Sequence, residues 1–257
     1  LVNGSFYALL SLGLAVIFGM LNIVNFAHGA LYMVGAFFSW MLLNYHGVNY
    51  WAALVIVPLA VGLIGVVIEK FLLQWLQGLD HLYGLLLTFG LALIIEGIFR
   101  EGYGSSGQPY DLPQVFKGAF DLGFMFLPKY RAWVVIAALV ACMATWYVIE
   151  KTKLGAYLRA GTENPNMVKA FGVNVPLMVT LTYAFGVGLA GLAGVMAAPI
   201  YQVSPLMGSN IIIIVFAVVV IGGMGSILGS IITGLALGLI EGLTKVFYAE
   251  ISTTVVF

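Results

Sequence analysis

Three polar side chains that can form hydrogen bonds lie close together near the start of this 257-residue chain. Asn22, Asn25 and His28 are spaced three residues apart in the stretch NIVNFAHGALYMVGAF, and Gly29 follows directly. An imidazole can exchange a proton, and an amide can hold a polar ligand or a backbone group that has left a helix. Which of these functions is open to them depends on the solvent around the stretch.

The composition indicates that this solvent is largely lipid. Hydrophobic residues make up 62% of the chain, charged residues only 8%, and the mean hydropathy is +1.09. Soluble domains carry about 25% charged residues, so this chain has too few to cover a surface in water. Its apolar runs are continuous rather than alternating, which favours transmembrane helices over a barrel. The formal net charge of zero argues against a nucleic-acid partner.

The apolar runs predict an all-α fold, a polytopic transmembrane helical bundle in one domain over residues 1–257. We expect about eight helical segments, near 3–20, 29–45, 51–73, 83–99, 132–149, 177–199, 210–222 and 226–247. Because the chain begins with Leu1 and stops in a new apolar run, ISTTVVF, we expect both ends to be trimmed.

Two polar interruptions, 100–131 and 150–176, predict the orientation of the bundle. Each holds four basic residues, but the second has them in a shorter stretch and the first offsets them with Asp111 and Asp121. The positive-inside rule therefore places 150–176 in the cytoplasm and 100–131 outside the cell.

Small residues recur at every fourth position of the last spans. One ridge is Gly186, Ala190, Gly194 and Ala198, and another is Ser226, Ser230, Gly234, Gly238 and Gly242. Such ridges let helix backbones approach closely in lipid. The second ridge predicts either a major contact between two helices of the chain or a contact between subunits.

The polar stretch has two interpretations in a membrane. Asn22, Asn25 and His28 are costly in lipid unless they face protein or a water-filled cavity. They are consistent with a plain turn at the membrane surface. With Gly29 beside them, they also fit a broken helix near 22–30 whose free backbone groups lie beside a substrate pathway.

Carboxylates near the ends of apolar spans are candidates for function or for ion pairing. Glu96 and Glu241 are each followed four residues later by a cation, Arg100 and Lys245. This is the favourable helical pairing distance, so we predict structural ion pairs. We expect Glu69, at another span end, to face lipid headgroups together with Lys70.

The passage TENPNMVKAFGVN predicts a short helix with defined ends. Asn164 suits the N-cap, Pro165 the first helical position, and Gly172 the residue just past the end. A helix of about seven residues is marginal in water, so it must pack against something. It is either a loop helix on the membrane surface or a docking helix for a cytoplasmic partner.

The longer segment KTKLGAYLRAGTENPNMVKAFGVNV resembles the cytoplasmic coupling loop of bacterial branched-chain amino-acid ABC importer permeases. The shared positions are Gly155, Arg159, Ala160, Asn164, Met167, Ala170, Gly172 and Asn174. NFAHGALYMVGAF, LLTFGLALIIEGIFR and VIGGMGSILGSIITGLALGLIEGL resemble other parts of that family, so the likeness covers most of the chain. Many members carry Glu directly after the His-Gly pair, where this chain has Ala30.

The resemblance implies a permease subunit in the bacterial cytoplasmic (inner) membrane that carries a branched-chain or related amino acid. It implies a second permease subunit, two cytoplasmic ATPase subunits and an external substrate-binding protein as partners. By the same resemblance, the shared positions and Pro165 are coupling residues. The substrate pathway would run beside Asn22, Asn25, His28 and Gly29.

Other functions remain open or are weakened by the motifs. Related permeases that carry urea or short amides are an alternative. An autonomous channel or secondary transporter is weakened because NFA at 25–27 lacks both the Pro and the second copy of a water-channel signature. No zinc-protease, nucleophile-elbow or P-loop motif is present, so we expect no enzyme activity and no cofactor on this chain, with ATP on the partner subunits.

Overall fold

The computed structural model describes residues 1–21, 23–76, 78–121, 123 and 126–247. In these residues the helices are α1 (Val2–Leu21), α2 (Ala27–His46), α3 (Tyr50–Phe71), α4 (His81–Tyr103), α5 (Lys129–Lys151), α6 (Lys153–Glu163), α7 (Pro165–Ala170), α8 (Val175–Ala197), α9 (Met207–Gly222) and α10 (Ile227–Phe247). Two short strands, β1 (Ala119–Asp121) and β2 (Phe126–Pro128), pair antiparallel. The predicted all-α bundle is confirmed.

All eight predicted apolar segments are helical, as α1 to α5 and α8 to α10. Six of these helices are long and apolar enough to cross a membrane, namely α1, α3, α4, α5, α8 and α10. The remaining helices, α6 and α7, both lie in the polar interruption 150–176. The short helix predicted there is α7, whereas α6 was not predicted.

The two polar interruptions lie at opposite ends of the bundle, because the single helix α5 joins them. We call them the long-loop end (residues 100–131) and the short-helix end (α6 and α7). The hydroxyl of Tyr130, at the start of α5, donates to the carbonyl of Met196 over 2.9 Å. α8 therefore runs from the short-helix end to the long-loop end.

α1 runs in the opposite direction to α8. Asn3 accepts a hydrogen bond of 2.8 Å from Tyr201, which follows α8 at the long-loop end. At its other end, Leu21 packs against a small apolar cluster that contains Val168 of α7 and Val175 of α8. α1 therefore begins at the long-loop end and ends at the short-helix end.

α8 is the central helix of the bundle, packed against α1, α2 and α3. Its predicted small-residue ridge makes these contacts close. A Cβ on Gly186 would overlap the carbonyl oxygen of Gly13 in α1, and one on Gly194 would overlap that of Tyr32 in α2. The ridge thus serves helix packing, as lipid-embedded helices require.

The second predicted ridge, on α10, packs against α1 of the same chain. Gly234 lies against Ala8, and Gly238 lies against Gly4. The sequence left open whether this ridge contacts another helix of the chain or another subunit. The structure shows a contact with another helix of the chain.

Buried polar groups reinforce the α1–α10 contact near the long-loop end. Glu241 accepts hydrogen bonds from Tyr7 (2.8 Å) and Asn3 (3.0 Å), and it pairs with Lys245. The other predicted pair, Glu96 with Arg100, is also confirmed, with 2.6 Å between Oε1 and Nη2.

The prediction that Glu69 faces headgroups is wrong. Only 1% of Glu69 is exposed, and its carboxylate accepts a hydrogen bond of 2.6 Å from Thr180 of α8. The face of α3 that carries Glu69 packs against α8, whereas the adjacent Lys70 lies on the exposed face. The sequence correctly placed Glu69 at the end of a span, but the direction of its side chain depends on where α8 lies.

The segment between α8 and α9 is held at the long-loop end. Val203 and Gln108 exchange two backbone hydrogen bonds of 2.8 and 3.0 Å. Burial and the nearby Glu241 carboxylate raise the pKa of Tyr201 to about 12, further from neutral pH. Its protonated hydroxyl donates to Asn3. These contacts fix the path by which the chain enters α9.

Replacing Gly238 by alanine should destabilise the bundle, because the new methyl group would overlap the backbone of Gly4. Overpacking of this kind costs about 1–3 kcal/mol. The control is Gly242→Ala, one turn further along α10, where a Cβ meets no atom within 4 Å. Thermal unfolding in detergent should show a lower midpoint for Gly238→Ala only. Equal midpoints for the two variants would contradict the close α1–α10 packing.

Candidate functional site

The predicted break in the helix lies inside the bundle. α1 ends at Leu21 and α2 begins at Ala27, while Asn22 lies outside the described residues. Nε2 of His28 is 3.0 Å from the carbonyl oxygen of Leu10, near the middle of α1. At roughly 1.5 Å per residue, the distance from Leu10 to Leu21 along the helix is about 16 Å. The chain therefore turns back into the bundle before α2 starts, which favours the broken helix over a surface turn.

A second helix, α9, begins at the same place. The backbones of Gly29 and Gly208 touch so closely that a Cβ on either glycine would overlap the other chain segment. From here α2 runs to the long-loop end, and α9 runs to the short-helix end, where Gly225 lies against Gly19. The N-termini of two helices thus meet within the bundle, and both contribute a positive partial charge there.

Asn25 and His28 point away from this junction and bond to α8 and α1. Nδ2 of Asn25 donates to the hydroxyl of Tyr183 over 3.0 Å, and both side chains are almost fully buried. Because a carbonyl can only accept, the bond to Leu10 places the proton of His28 on Nε2. Oδ1 of Asn25 and Nδ1 of His28 have no hydrogen-bond partner among the described residues.

Thr88 of α4 closes the break from the other side. Its buried hydroxyl accepts from the backbone N–H of Phe26 (3.2 Å) and lies 3.1 Å from the carbonyl of Val24. The hydroxyl accepts from one backbone group of the unwound segment, and its single hydrogen is shared between the carbonyl of Val24 in that segment and the carbonyl of Leu85 in its own helix, also at 3.1 Å. The sequence did not single out Thr88, because one threonine in an apolar span carries no signal of its own.

A small cavity of about 60 Å³ lies beside the helix junction, between α2, α4 and α9. Its wall is mostly apolar, with Phe26 just before α2, Ala30 and Met33 from α2, Phe89 and Leu93 from α4, and Ile212 from α9. Two polar side chains also line it, Glu96 of α4 and Ser209 of α9. No group of three or more His, Cys, Asp or Glu that could hold a metal occurs in the described part of the chain.

The residues that line the cavity differ from the polar stretch that the sequence singled out as the pathway. Phe26, just before α2, and Ala30 and Met33 of α2 line it, whereas Asn25 and His28 are not part of its wall. Two positions of the wall carried a signal in the sequence: Glu96, a carboxylate in an apolar span, and Ala30, where this chain departs from the family pattern.

The nine coupling residues lie at the short-helix end and fall into three groups. Five of them shape the backbone: Gly155, Asn164, Pro165, Gly172 and Asn174. Asn164 accepts from the N–H of Met167 (3.0 Å) at the start of α7, and Asn174 accepts from that of Leu177 (3.1 Å) at the start of α8. Gly172 follows α7 with φ +82°, a conformation that favours glycine. The cap, first position and terminating glycine of α7 were thus correctly predicted.

The connection between α5 and α6 depends on Gly155 and on one further coupling residue, Arg159. A Cβ on Gly155 would overlap the carbonyl oxygen of Ile149, so only glycine permits this approach. The guanidinium of Arg159 donates to that same carbonyl (3.0 Å) and to the carboxylate of Glu150 (2.9 Å). Both residues therefore hold α6 against the end of α5.

The rest of the coupling set lies on the surface of α6 and α7. Ala160, Met167 and Ala170 are exposed, and Met167 is 59% exposed. Phe171, directly after α7, is 80% exposed, and the sequence did not single it out. Large apolar side chains that are exposed beside polar residues mark a contact surface.

Together these features define a class, a polytopic helical membrane protein with a broken helix in its centre and a capped short helix at one polar end. A family model described as "Branched-chain amino acid transport system / permease component" matches residues 1–257. The chain therefore belongs to the branched-chain amino acid transport system permease family, and it is a multi-pass protein of the inner membrane.

Three relatives illustrate the similarity. The high-affinity branched-chain amino acid transport system permease protein LivH of Escherichia coli K12 is 28% identical over 95% of this chain and 83% of its own length. BraD of Pseudomonas aeruginosa, a permease protein of the same kind of system, is 27% identical over 94% of this chain and 82% of its own. LivM of E. coli K12 is 27% identical over 86% of this chain and 57% of its own. No solved structure matches significantly.

Asn25 and Tyr183 should be energetically coupled, because each satisfies the other inside the bundle. Replacing Asn25 by alanine leaves the Tyr183 hydroxyl buried without this partner, at a cost of about 1–3 kcal/mol. In a Tyr183→Phe background the same replacement should cost about 1 kcal/mol less, as for other interhelical hydrogen bonds. A double-mutant cycle on unfolding in detergent measures the difference. Additive effects would mean that the bond does not fix the start of α2.

Proposed function

We propose that the chain is the membrane-spanning permease subunit of an ATP-binding-cassette importer for branched-chain or related amino acids. Separate ATPase subunits would bind the short-helix end in the cytoplasm, and an external substrate-binding protein would deliver the amino acid to the long-loop end. The chain itself would hydrolyse no ATP and carry no cofactor.

The observation that carries the proposal is the surface of α7. This helix has six residues, too few to be stable without support, yet both its ends are capped. Val168 packs inward against Val175 and Val179 of α8, while Met167 and Phe171 face outward. A helix that is anchored on one side and apolar on the other fits a groove on a partner protein.

The relatives support a second permease subunit. LivH and LivM of the same organism both bear the name of a permease protein of a high-affinity branched-chain amino acid transport system, and this chain resembles both. We therefore infer a second permease subunit, and we infer the two ATPases from the resemblance of the 150–176 segment to a coupling loop. Their names also favour branched-chain amino acids over the urea or amide alternative.

Movement of α7 would reach the helix junction through α8. Only residues 171–174 separate the two helices, and Asn174 caps the start of α8. α8 carries Tyr183, which bonds to Asn25 just before α2. Docking or closure of the ATPases could thus shift the start of α2, where Gly29 meets α9. In this mechanism Asn25 and His28 act beside the pathway by holding the start of α2 in position.

Replacing Phe171 by serine should weaken binding of the ATPase, because it removes the most exposed apolar side chain of the proposed contact. Central aromatic anchors in interfaces are worth about 2 kcal/mol or more, so copurification of a P-loop ATPase should fall by about tenfold or more. The control is Phe126→Ser, at the long-loop end, where Phe126 is 73% exposed. Equal loss in both variants, or no loss with Phe171→Ser, would contradict the docking role of α7.

The function itself is tested by reconstitution in proteoliposomes. The chain should take up labelled leucine or valine only when it is assembled with its second permease, the ATPases, ATP and the loaded binding protein. Uptake by the chain alone would contradict the proposal and favour an autonomous transporter. Uptake of urea without leucine or valine would favour the amide alternative.

A further inference from the structure

The cavity beside the helix junction contains one ionisable group among the residues that line it, the carboxylate of Glu96. Its side chain is only 16% exposed, and it pairs with Arg100, whose own side chain is 51% exposed. The carboxylate therefore belongs to the interior of the site, while the cation that balances it belongs to the surface. An intramembrane carboxylate is expensive and is a functional candidate by default.

The remaining wall suits a branched aliphatic group. The space is bordered by Phe26 at the break, Met33 of α2, Phe89 and Leu93 of α4, and Ile212 of α9. Apolar walls with a few placed polar groups are typical of small-molecule sites. An amino acid with an aliphatic side chain presents this combination, an apolar group and a cationic ammonium close together.

We propose that this cavity receives a branched-chain amino acid in transit, with Glu96 contacting its ammonium group. Met33 and Phe26 limit the size of its side chain. The inference rests on the proposed function and adds a location for the substrate. The ammonium replaces Arg100 as the partner of Glu96, so the carboxylate is never left unpaired inside the membrane.

The proposal requires the cavity to widen during transport, because it is too small for an amino acid in this structure. A volume of about 60 Å³ accommodates a few water molecules, at roughly 10–15 Å³ each, and no amino acid. α4 is the least buried of the six long apolar helices, so it is the wall with the fewest neighbours to displace. In the proposed transport step α4 separates from α2 and α9, while the close Gly29–Gly208 contact keeps the starts of α2 and α9 together as they shift.

The first experiment compares Glu96→Gln, Glu96→Asp and Arg100→Gln in the fully assembled complex, with labelled leucine as the probe. Loss of a charge-assisted hydrogen bond predicts about tenfold lower leucine uptake at saturating loaded binding protein for Glu96→Gln. Glu96→Asp should recover part of the uptake, because it keeps the carboxylate. Arg100→Gln removes the resting partner of Glu96 but keeps the carboxylate that would contact the ammonium, so its loss of uptake should be clearly smaller than that of Glu96→Gln.

The second experiment measures side-chain selectivity with Met33→Ala. A larger cavity should raise the ratio of leucine to valine uptake by about threefold or more, since one methylene in an apolar pocket changes discrimination by about tenfold. The matched control is Met196→Ala, which also removes a buried methionine, but from α8 and away from the cavity. Its uptake ratio should equal that of the wild type.

The outcomes separate this inference from the proposed function. If the wild-type complex takes up neither leucine nor valine, the proposed function is wrong. If it does, but Glu96→Gln and Met33→Ala behave like the wild type, only the substrate site is wrong. Equal losses in Glu96→Gln and Arg100→Gln would show that Glu96 acts through its ion pair, and this would also overturn the inference.

Discussion

The close approach of two glycine backbones, Gly29 and Gly208, is the constraint on which the centre of this protein depends. In lipid there is no hydrophobic drive between helices, so association relies on van der Waals packing and on interhelical hydrogen bonds. Glycines at these positions let α2 and α9 begin against each other inside the bundle. A side chain at either position would separate the two helix starts and remove one wall of the cavity.

Buried polar groups mainly join helices in this structure. Thr180 bonds to Glu69 and Tyr7 bonds to Glu241, each between two different helices, and Asn25 of the break bonds to Tyr183 of α8. Polar groups in hydrocarbon need such partners, and the partners in turn set the relative positions of the helices. The polar stretch at 25–28 therefore fixes where α2 starts, and Phe26, Ala30 and Met33 line the cavity beside it.

The short-helix end shows how a weak element can hold a defined shape. α7 is too short to be stable alone, and it is fixed by the caps at Asn164 and Gly172 and by Val168 against α8. Rigid attachment on one face leaves Met167 and Phe171 available on the other. A force applied there acts on α8, which packs against three other helices and so connects the two ends of the bundle.

The sequence by itself determined the features that depend on neighbouring residues. Hydropathy located the eight apolar helices, cap residues located α7, and four-residue spacing predicted the pairs Glu96–Arg100 and Glu241–Lys245. Each of these follows from local geometry or from the total apolarity of a span, and neither requires knowledge of the packing.

Only the tertiary structure decided which face of each helix points inward. In water a helix shows its buried face by its apolar stripe. In lipid both faces are apolar, so nothing in the sequence separated Phe26, Ala30 and Met33, which line the cavity, from side chains that face lipid. For the same reason Glu69 was assigned to the headgroups although α8 covers it. The direction of a side chain in this bundle is set by the neighbouring helix, and the neighbours are chosen by backbone contacts between residues far apart in the chain.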